Sequence, residues 1–234
     1  MSRTRLHRLN SKLCLAAAAL AGSGCAAAQG LGGTVALQSD SRFRGVSYSD
    51  EKPNAQATLT YDGSAGWYGG AMLTKVHFGP DRQSTMLQGY AGRVFSLATG
   101  LDAEAGVQVN RFDGITRYNY GEAYVGLLAE RWNARLYASN DYYGTKQRSL
   151  YAEVNLNWPL TQSVQAFAHA GVIDARGGPY AEPSSRTDWR AGVAWRYGVA
   201  ELQLAWVGAS RGGPYTWTAD EHRQTWVLGL SAAF

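Results

Sequence analysis

Alternation of apolar and small or polar residues constrains this chain more than any other feature, and it is most complete in the last ten positions. There, Trp226, Leu228, Leu230, Ala232 and Phe234 share one face, apolar throughout. Thr225, Val227, Gly229, Ser231 and Ala233 form the other, small or weakly polar. A period of two is that of a β-strand, whose successive side chains point to opposite faces. About ten residues suffice to cross a bilayer as a tilted strand. A soluble domain leaving such a strand exposed would invite aggregation. The pattern predicts the closing strand of a membrane barrel, with Phe234 as the terminal aromatic that barrel-assembly machinery reads.

The N-terminus points to the same compartment. Arg3, Arg5, Arg8 and Lys12 form a basic segment, Leu13 to Ala21 an apolar one, and Ala26-Ala27-Ala28 a small-residue cleavage site before Gln29. The apolar run is too short for a membrane helix of about 20 residues. Cys25 lacks the large aliphatic residue that normally precedes a lipidated cysteine. Residues 1–28 therefore read as a cleavable signal peptide and residues 29–234 as one outer-membrane β-barrel domain.

Removing that leader changes what the composition means. The chain holds 22 Lys and Arg against 18 Asp and Glu. Four of those basic residues and no acidic one lie in the leader, so the two signs balance beyond it. The positive net charge is thus no sign of a nucleic-acid partner. Both cysteines, Cys14 and Cys25, also belong to the leader, which excludes disulfides and thiolate metal sites from the exported part. Mean hydropathy is −0.28, yet alternating barrel strands average out in such a measure.

Twelve segments read as strands: residues 33–39, 54–61, 66–76, 84–95, 101–111, 119–129, 132–142, 147–158, 164–173, 186–197, 200–209 and 222–234. The eighth sets Leu150, Ala152, Val154, Leu156 and Trp158 against Tyr151, Glu153, Asn155 and Asn157. The tenth sets Trp189, Ala191, Val193, Trp195 and Tyr197 against Asp188, Arg190, Gly192, Ala194 and Arg196. The fourth and ninth alternate too weakly to assign a face. Tight connections alternate with longer ones, as in an up-and-down antiparallel transmembrane barrel with short periplasmic turns and longer external loops.

Aromatic placement supports the same architecture. Tyr61, Trp67, Phe95, Trp132, Trp158, Trp195, Tyr197 and Phe234 sit beside short turns and would ring one membrane interface. Phe112, Trp189, Trp206 and Trp226 lie towards the long loops and would form a second ring. A soluble β-sandwich gives no reason for aromatics to gather at strand ends. An internal echo also occurs: Arg176-Gly177-Gly178-Pro179-Tyr180 recurs as Arg211-Gly212-Gly213-Pro214-Tyr215. It reads either as paired ligand-presenting loops or as plain Gly-Pro turn chemistry.

The first long loop is more specific. Ser39-Asp40-Ser41-Arg42-Phe43-Arg44-Gly45-Val46-Ser47-Tyr48-Ser49-Asp50 leads through Lys52-Pro53 towards Gly66-Trp67-Tyr68-Gly69-Gly70. This stretch resembles the TorF-type porin family of bacterial outer-membrane barrels, with Asp40, Arg42, Phe43, Arg44 and Gly45 as its motif loop. Ser41 departs from the usual aromatic, and the spacing after Pro53 is looser. The resemblance implies a channel and carries over no catalytic residue.

Candidate functional residues are those on the face turned to the lumen: Glu104, Glu122, Arg135, Glu153, His169, Asp188, Arg190 and Arg196, with Tyr124, Tyr137 and Tyr151. Mixed charges of this kind select solutes in a pore, or pair across a filled interior. Twelve strands lie between a filled eight-stranded barrel and an open 16-stranded one, so either holds. For hydrolysis, His77, His169 and His222 have no Gly-x-Ser-x-Gly or His-Glu-x-x-His context. Asp40, Asp50 and Glu51 could in principle gather as an aspartyl or calcium site. The chain therefore reads as a non-enzymatic outer-membrane porin without cofactor, in contact with lipid and passing small polar solutes. A surface adhesion or structural role and, behind it, a lipid-acting barrel hydrolase stand as alternatives.

Overall fold

The computed structural model describes residues 30–78, 83–178, 184–215 and 222–234. The expected leader and cleavage site, with both cysteines, lie outside the described residues. In chain order the strands are β1 (Gly30–Gln38), the short β2 (Arg42–Phe43) and β3 (Val46–Ser47), β4 (Asn54–Asp62), β5 (Trp67–His77), β6 (Gln83–Ala98), β7 (Leu101–Phe112), β8 (Tyr120–Ala129), β9 (Trp132–Tyr142), β10 (Gln147–Pro159), β11 (Val164–Arg176), β12 (Ser184–Tyr197), β13 (Ala200–Ala209) and β14 (Gln224–Ala233). Twelve of them close an antiparallel barrel in the order β1-β14-β13 and so on down to β4, which pairs again with β1. β2 and β3 form a separate two-stranded sheet. The twelve-stranded up-and-down barrel expected from alternation is the observed fold.

Closure is made by the last strand. Gly33 and Phe234 exchange both backbone hydrogen bonds, at 2.9 and 3.0 Å. From there the register runs from Thr34 opposite Ala233 to Gln38 opposite Gly229. The ring of Phe234 lies over Gly33, where any Cβ would collide with it.

Strand ends differ from the sequence reading where apolar alternation fades. β1 begins at Gly30, in a glycine-rich stretch whose missing side chains hide the period. β6 runs on to Ala98, β11 to Arg176, and β12 starts at Ser184, so several strands project past the apolar band. Gly66 lies in a one-turn 3₁₀ segment rather than in a strand.

The outer face is apolar. Leu37, Leu59, Val107, Val109, Val125, Leu136, Leu150, Leu156, Val193, Leu204, Leu228 and Leu230 are exposed. Tyr61, Trp67, Phe95, Trp132, Trp158, Trp195, Tyr197 and Phe234 are exposed at the short-turn end. Arg131 stacks on Trp158 at 4.3 Å, and Arg93 lies 5.1 Å from Phe95 and 5.6 Å from Trp67. Aromatic rings with basic neighbours suit a headgroup boundary. At the other end Trp206 and Trp226 meet face-outward, 5.3 Å apart, with Trp189 packed over Gly208. Phe112 does not join them. It is 1% exposed and points inward, against Phe78 at 5.5 Å and Tyr143 at 5.9 Å. Its parity with Glu104, Gln108 and Asn110 decides its face, which position near a strand end does not.

The two strands without a clear pattern are resolved by what they face. β6 turns Met86, Gln88 and Tyr90 inward, and β11 turns Phe167, His169 and Ile173 inward. Inward tyrosines are accommodated by glycines on the neighbouring strand: Tyr90 over Gly70, Tyr68 over Gly92, Tyr124 over Gly106 and Tyr151 over Gly171. A methyl added at any of these would meet a ring held by its neighbours. Gly171→Ala is expected to destabilise the barrel by about 1–3 kcal/mol through overpacking. Gly89→Ala, on the outer face with its nearest contact at 3.7 Å, should change little. Urea unfolding of the two refolded variants followed by tryptophan fluorescence compares them.

Candidate functional site

The loop between β1 and β4 folds into the barrel rather than away from it. Asp40 organises its base, accepting from Arg42 Nε at 2.6 Å, Ser47 Oγ at 2.7 Å and Ser49 Oγ at 3.1 Å. At the tip, Arg44 and Gly45 both take positive φ, 50° and 73°. Gly45 is pressed so closely against Asp188 and Ala209 that a Cβ would lie 2.7 Å from the Cβ of each. Only glycine meets both the conformation and the approach. Arg186 Nη2 donates to the Gly45 carbonyl at 3.3 Å.

This tip delivers Arg44 to Glu122 on β8. The guanidinium donates through Nη1 and Nη2 to the two carboxylate oxygens at 2.9 and 2.8 Å. Gln108 Nε2 donates to the same carboxylate at 2.6 Å. The charge lies 4.1 Å from the Tyr151 ring and 5.1 Å from that of Tyr137. Burial works against the Arg44 charge, but Glu122 together with the Tyr142 and Tyr120 hydroxyls offsets it, so the group is held well above its ordinary pKa. A forked pair of this kind fixes orientation as well as energy.

Above the pair the mouth is packed with rings. Phe78, Phe112, Tyr118, Tyr120, Tyr142, Tyr143 and Tyr215 belong to one buried cluster. Tyr142 and Tyr215 share a hydroxyl–hydroxyl hydrogen bond at 3.0 Å, and burial pushes the Tyr143 and Tyr215 phenols above their ordinary pKa. The two Arg-Gly-Gly-Pro-Tyr copies are described to different extents. The second places Tyr215 inside, while Arg176 of the first pairs with Asp174 at the exposed end of β11, and Pro179 and Tyr180 lie outside the described residues.

Below the plug the inner wall carries each of the charged residues singled out in the strands. Glu104 accepts from Tyr68 at 2.5 Å and pairs with Arg135. Glu153 stands opposite Arg135 in register and accepts from Asn155 at 3.3 Å. Asp188 binds His169 Nε2 at 2.8 Å and Tyr151 at 3.2 Å, and His169 Nδ1 meets Asn155 Oδ1 at 2.8 Å. Arg196 reaches Glu201 at 2.8 Å, Gln203 donates to Glu201 at 2.6 Å, and Arg190 donates to Gln203 at 2.9 Å. Glu201 and Gln203 were missed from sequence, although they alternate with Leu202 and Leu204. Arg44 as a lumen group was missed because loop residues have no parity to read.

His169 and the loop carboxylates, the residues considered for hydrolysis or metal binding, are all held in local hydrogen bonds or ion pairs. The partners of His169 are Asn155, Asp188 and the Tyr151 phenol, with no serine among them. Asp40 and Glu51 are both engaged by Arg42, Glu51 also by His222, and Asp50 by Lys52, so each of the three carboxylates is taken up by a basic side chain. What the interior does hold is a cavity of about 170 Å³ beside the plug, lined by Arg42 and Arg44 of the loop, by Gln88, Gln108 and Arg135 on β6, β7 and β9, and by Glu153, His169, Asp188, Arg190 and Gln203 on β10–β13. Inward Asn157, Gln165 and Phe167, nearer the short turns, keep partial exposure, whereas the described rings at the long-loop end are buried against one another.

Removing one member of the Arg44–Glu122 pair strands the other in a buried site, which costs about 3–5 kcal/mol. Arg44→Met is expected to release the loop and make it protease-sensitive in the folded barrel. Adding Glu122→Gln should restore much of the protection. Limited proteolysis with mass mapping of residues 39–53 reads both.

The solved structures most similar in shape include the KdgM porin, with a TM-score of 0.54 at 9% identity over 87% of this chain and 98% of that one. The same porin in complex with disordered oligogalacturonate superposes equally, at 0.54 and 9% over the same shares. The COG4313 outer membrane channel from Pseudomonas putida F1 gives 0.53 at 12% identity, over 89% and 96%. At these identities the likeness is one of fold, that of outer-membrane channels. No curated protein matches the chain. A family model does match, over residues 22–234, and this chain belongs to that family, Gcw_chp, bacterial proteins of unknown function.

Proposed function

We propose that this protein is a plugged channel of the bacterial outer membrane, exported by its leader and passing small polar solutes passively. The observation that carries the reading is the closed barrel with an apolar, aromatic-edged exterior and a charged interior that holds a chamber. The fold shared with outer-membrane channels supports it, as does the TorF-type resemblance over Ser39–Gly70. Glu104, Glu122, Arg135, Glu153, His169, Asp188, Arg190 and Arg196 would set selectivity. The motif loop, with Asp40 and Arg42 bracing Phe43, Arg44 and Gly45, would govern passage. The outward face would meet lipid, and β14 would serve the assembly machinery. No cofactor and no catalytic step enter this mechanism.

The packed ring cluster favours a second reading, a non-conducting barrel with a structural or adhesive role at the surface. Planar-bilayer recording separates the two. The channel reading expects small or rare conductance steps from the wild type and at least several-fold larger ones from Arg44→Ala, which frees the loop from Glu122. Silence from that folded variant would favour the surface role.

A further inference from the structure

The chamber below the plug has an unusual charge arrangement. Arg44 is matched by Glu122, Arg42 by Asp40, and Arg135 lies between Glu104 and Glu153. Asp188 is engaged by His169 and Tyr151. Arg190 differs: it is 7% exposed, and among the described residues no carboxylate lies within salt-bridge distance of it. Its guanidinium makes one hydrogen bond, from Nη2 to Gln203, and lies 5.3 Å from the Phe167 ring, while Nε has no partner. A buried guanidinium with unmet donors is costly unless an acceptor reaches it.

A second set of unmet groups lies on the opposite wall. Gln88 and Gln108 direct their Nε2 atoms to Asn110 and Glu122, and both Oε1 atoms are buried without a partner. Both residues line the same cavity as Arg190. Residues lining one chamber therefore carry unmet guanidinium donors on one side and two unmet carbonyl acceptors on the other. A comparable volume, about 150 Å³, holds benzene in an engineered protein cavity, so about 170 Å³ suits a solute of six or seven heavy atoms.

We propose that this chamber is a binding subsite for a small hydroxy-carboxylate, the carboxylate on the free edge of Arg190 and the hydroxyl protons accepted by Gln88 and Gln108. The proposal rests on the channel reading for its purpose, since such a site would set which solutes enter. Glycerate, with one carboxylate and two hydroxyls, is the probe, and glycerol its uncharged counterpart.

Titration of the refolded full-length protein in detergent, by calorimetry, tests the site without reference to conduction. Glycerate is expected to bind saturably at one site, with glycerol at least about tenfold weaker, given the strength of hydrogen bonds to charged groups. Arg190→Gln should lose about tenfold or more for glycerate, and Arg190→Lys should fall between, keeping the charge without the fork. Acetate should bind more weakly than glycerate to the wild type and equally to Gln88→Leu/Gln108→Leu. Absence of saturable glycerate binding to the wild type, or equal binding by Arg190→Gln, overturns the subsite. The glycerate–glycerol comparison needs no variant, so a misfolded substitution cannot obscure it. Conductance with no binding removes the subsite alone, and binding by a protein silent in bilayers removes the channel reading alone.

Discussion

Every feature of this molecule depends on closure of the sheet. A barrel strand satisfies its backbone polar groups by pairing on both sides, and in an apolar surrounding an unpaired edge is not tolerated. The pairing of β1 with β14, ended by the Gly33–Phe234 exchange, removes that edge. Closure also creates an inside, and twelve strands make that inside too wide for wall side chains alone to fill. The interior must therefore be occupied by something else or by water.

This barrel uses both. Tyrosines set over glycines thicken the β5–β10 wall, and the first long loop brings a charged tip to the middle. Arg44 carries the arrangement because a guanidinium offers donors in its plane and a face for rings: Glu122 takes the first and Tyr137 and Tyr151 the second. Lysine in that position would hold the charge without the fork. The filling is uneven, and the unevenness leaves the chamber beside the plug, where Arg190 stands without a carboxylate among the described residues.

Much of the wall was legible in the sequence because a strand in a barrel obeys parity. Glu104, Glu122, Arg135, Glu153, Asp188 and Arg190 alternate with apolar neighbours, and a side chain facing outward and one facing the lumen cannot exchange without moving the whole strand. Parity applied consistently would also have placed Phe112 inside and added Glu201 and Gln203. It failed in β6 and β11, where Gly, Ala and Gln are tolerated on either face. It was silent for residues 39–53, since loops carry no period.

Sequence alone thus determined the strand number, the direction of each barrel wall residue with clear alternation, and the aromatic edges, because these follow from local periodicity and the polarity of two solvents. Tertiary structure alone decided that the first loop turns inward, that Arg44 meets Glu122 seventy-eight residues away, and that Arg190 does not meet a carboxylate. Those outcomes depend on distances across a closed ring, which no local pattern encodes: residues far apart in the chain become neighbours only once the barrel has fixed its circumference.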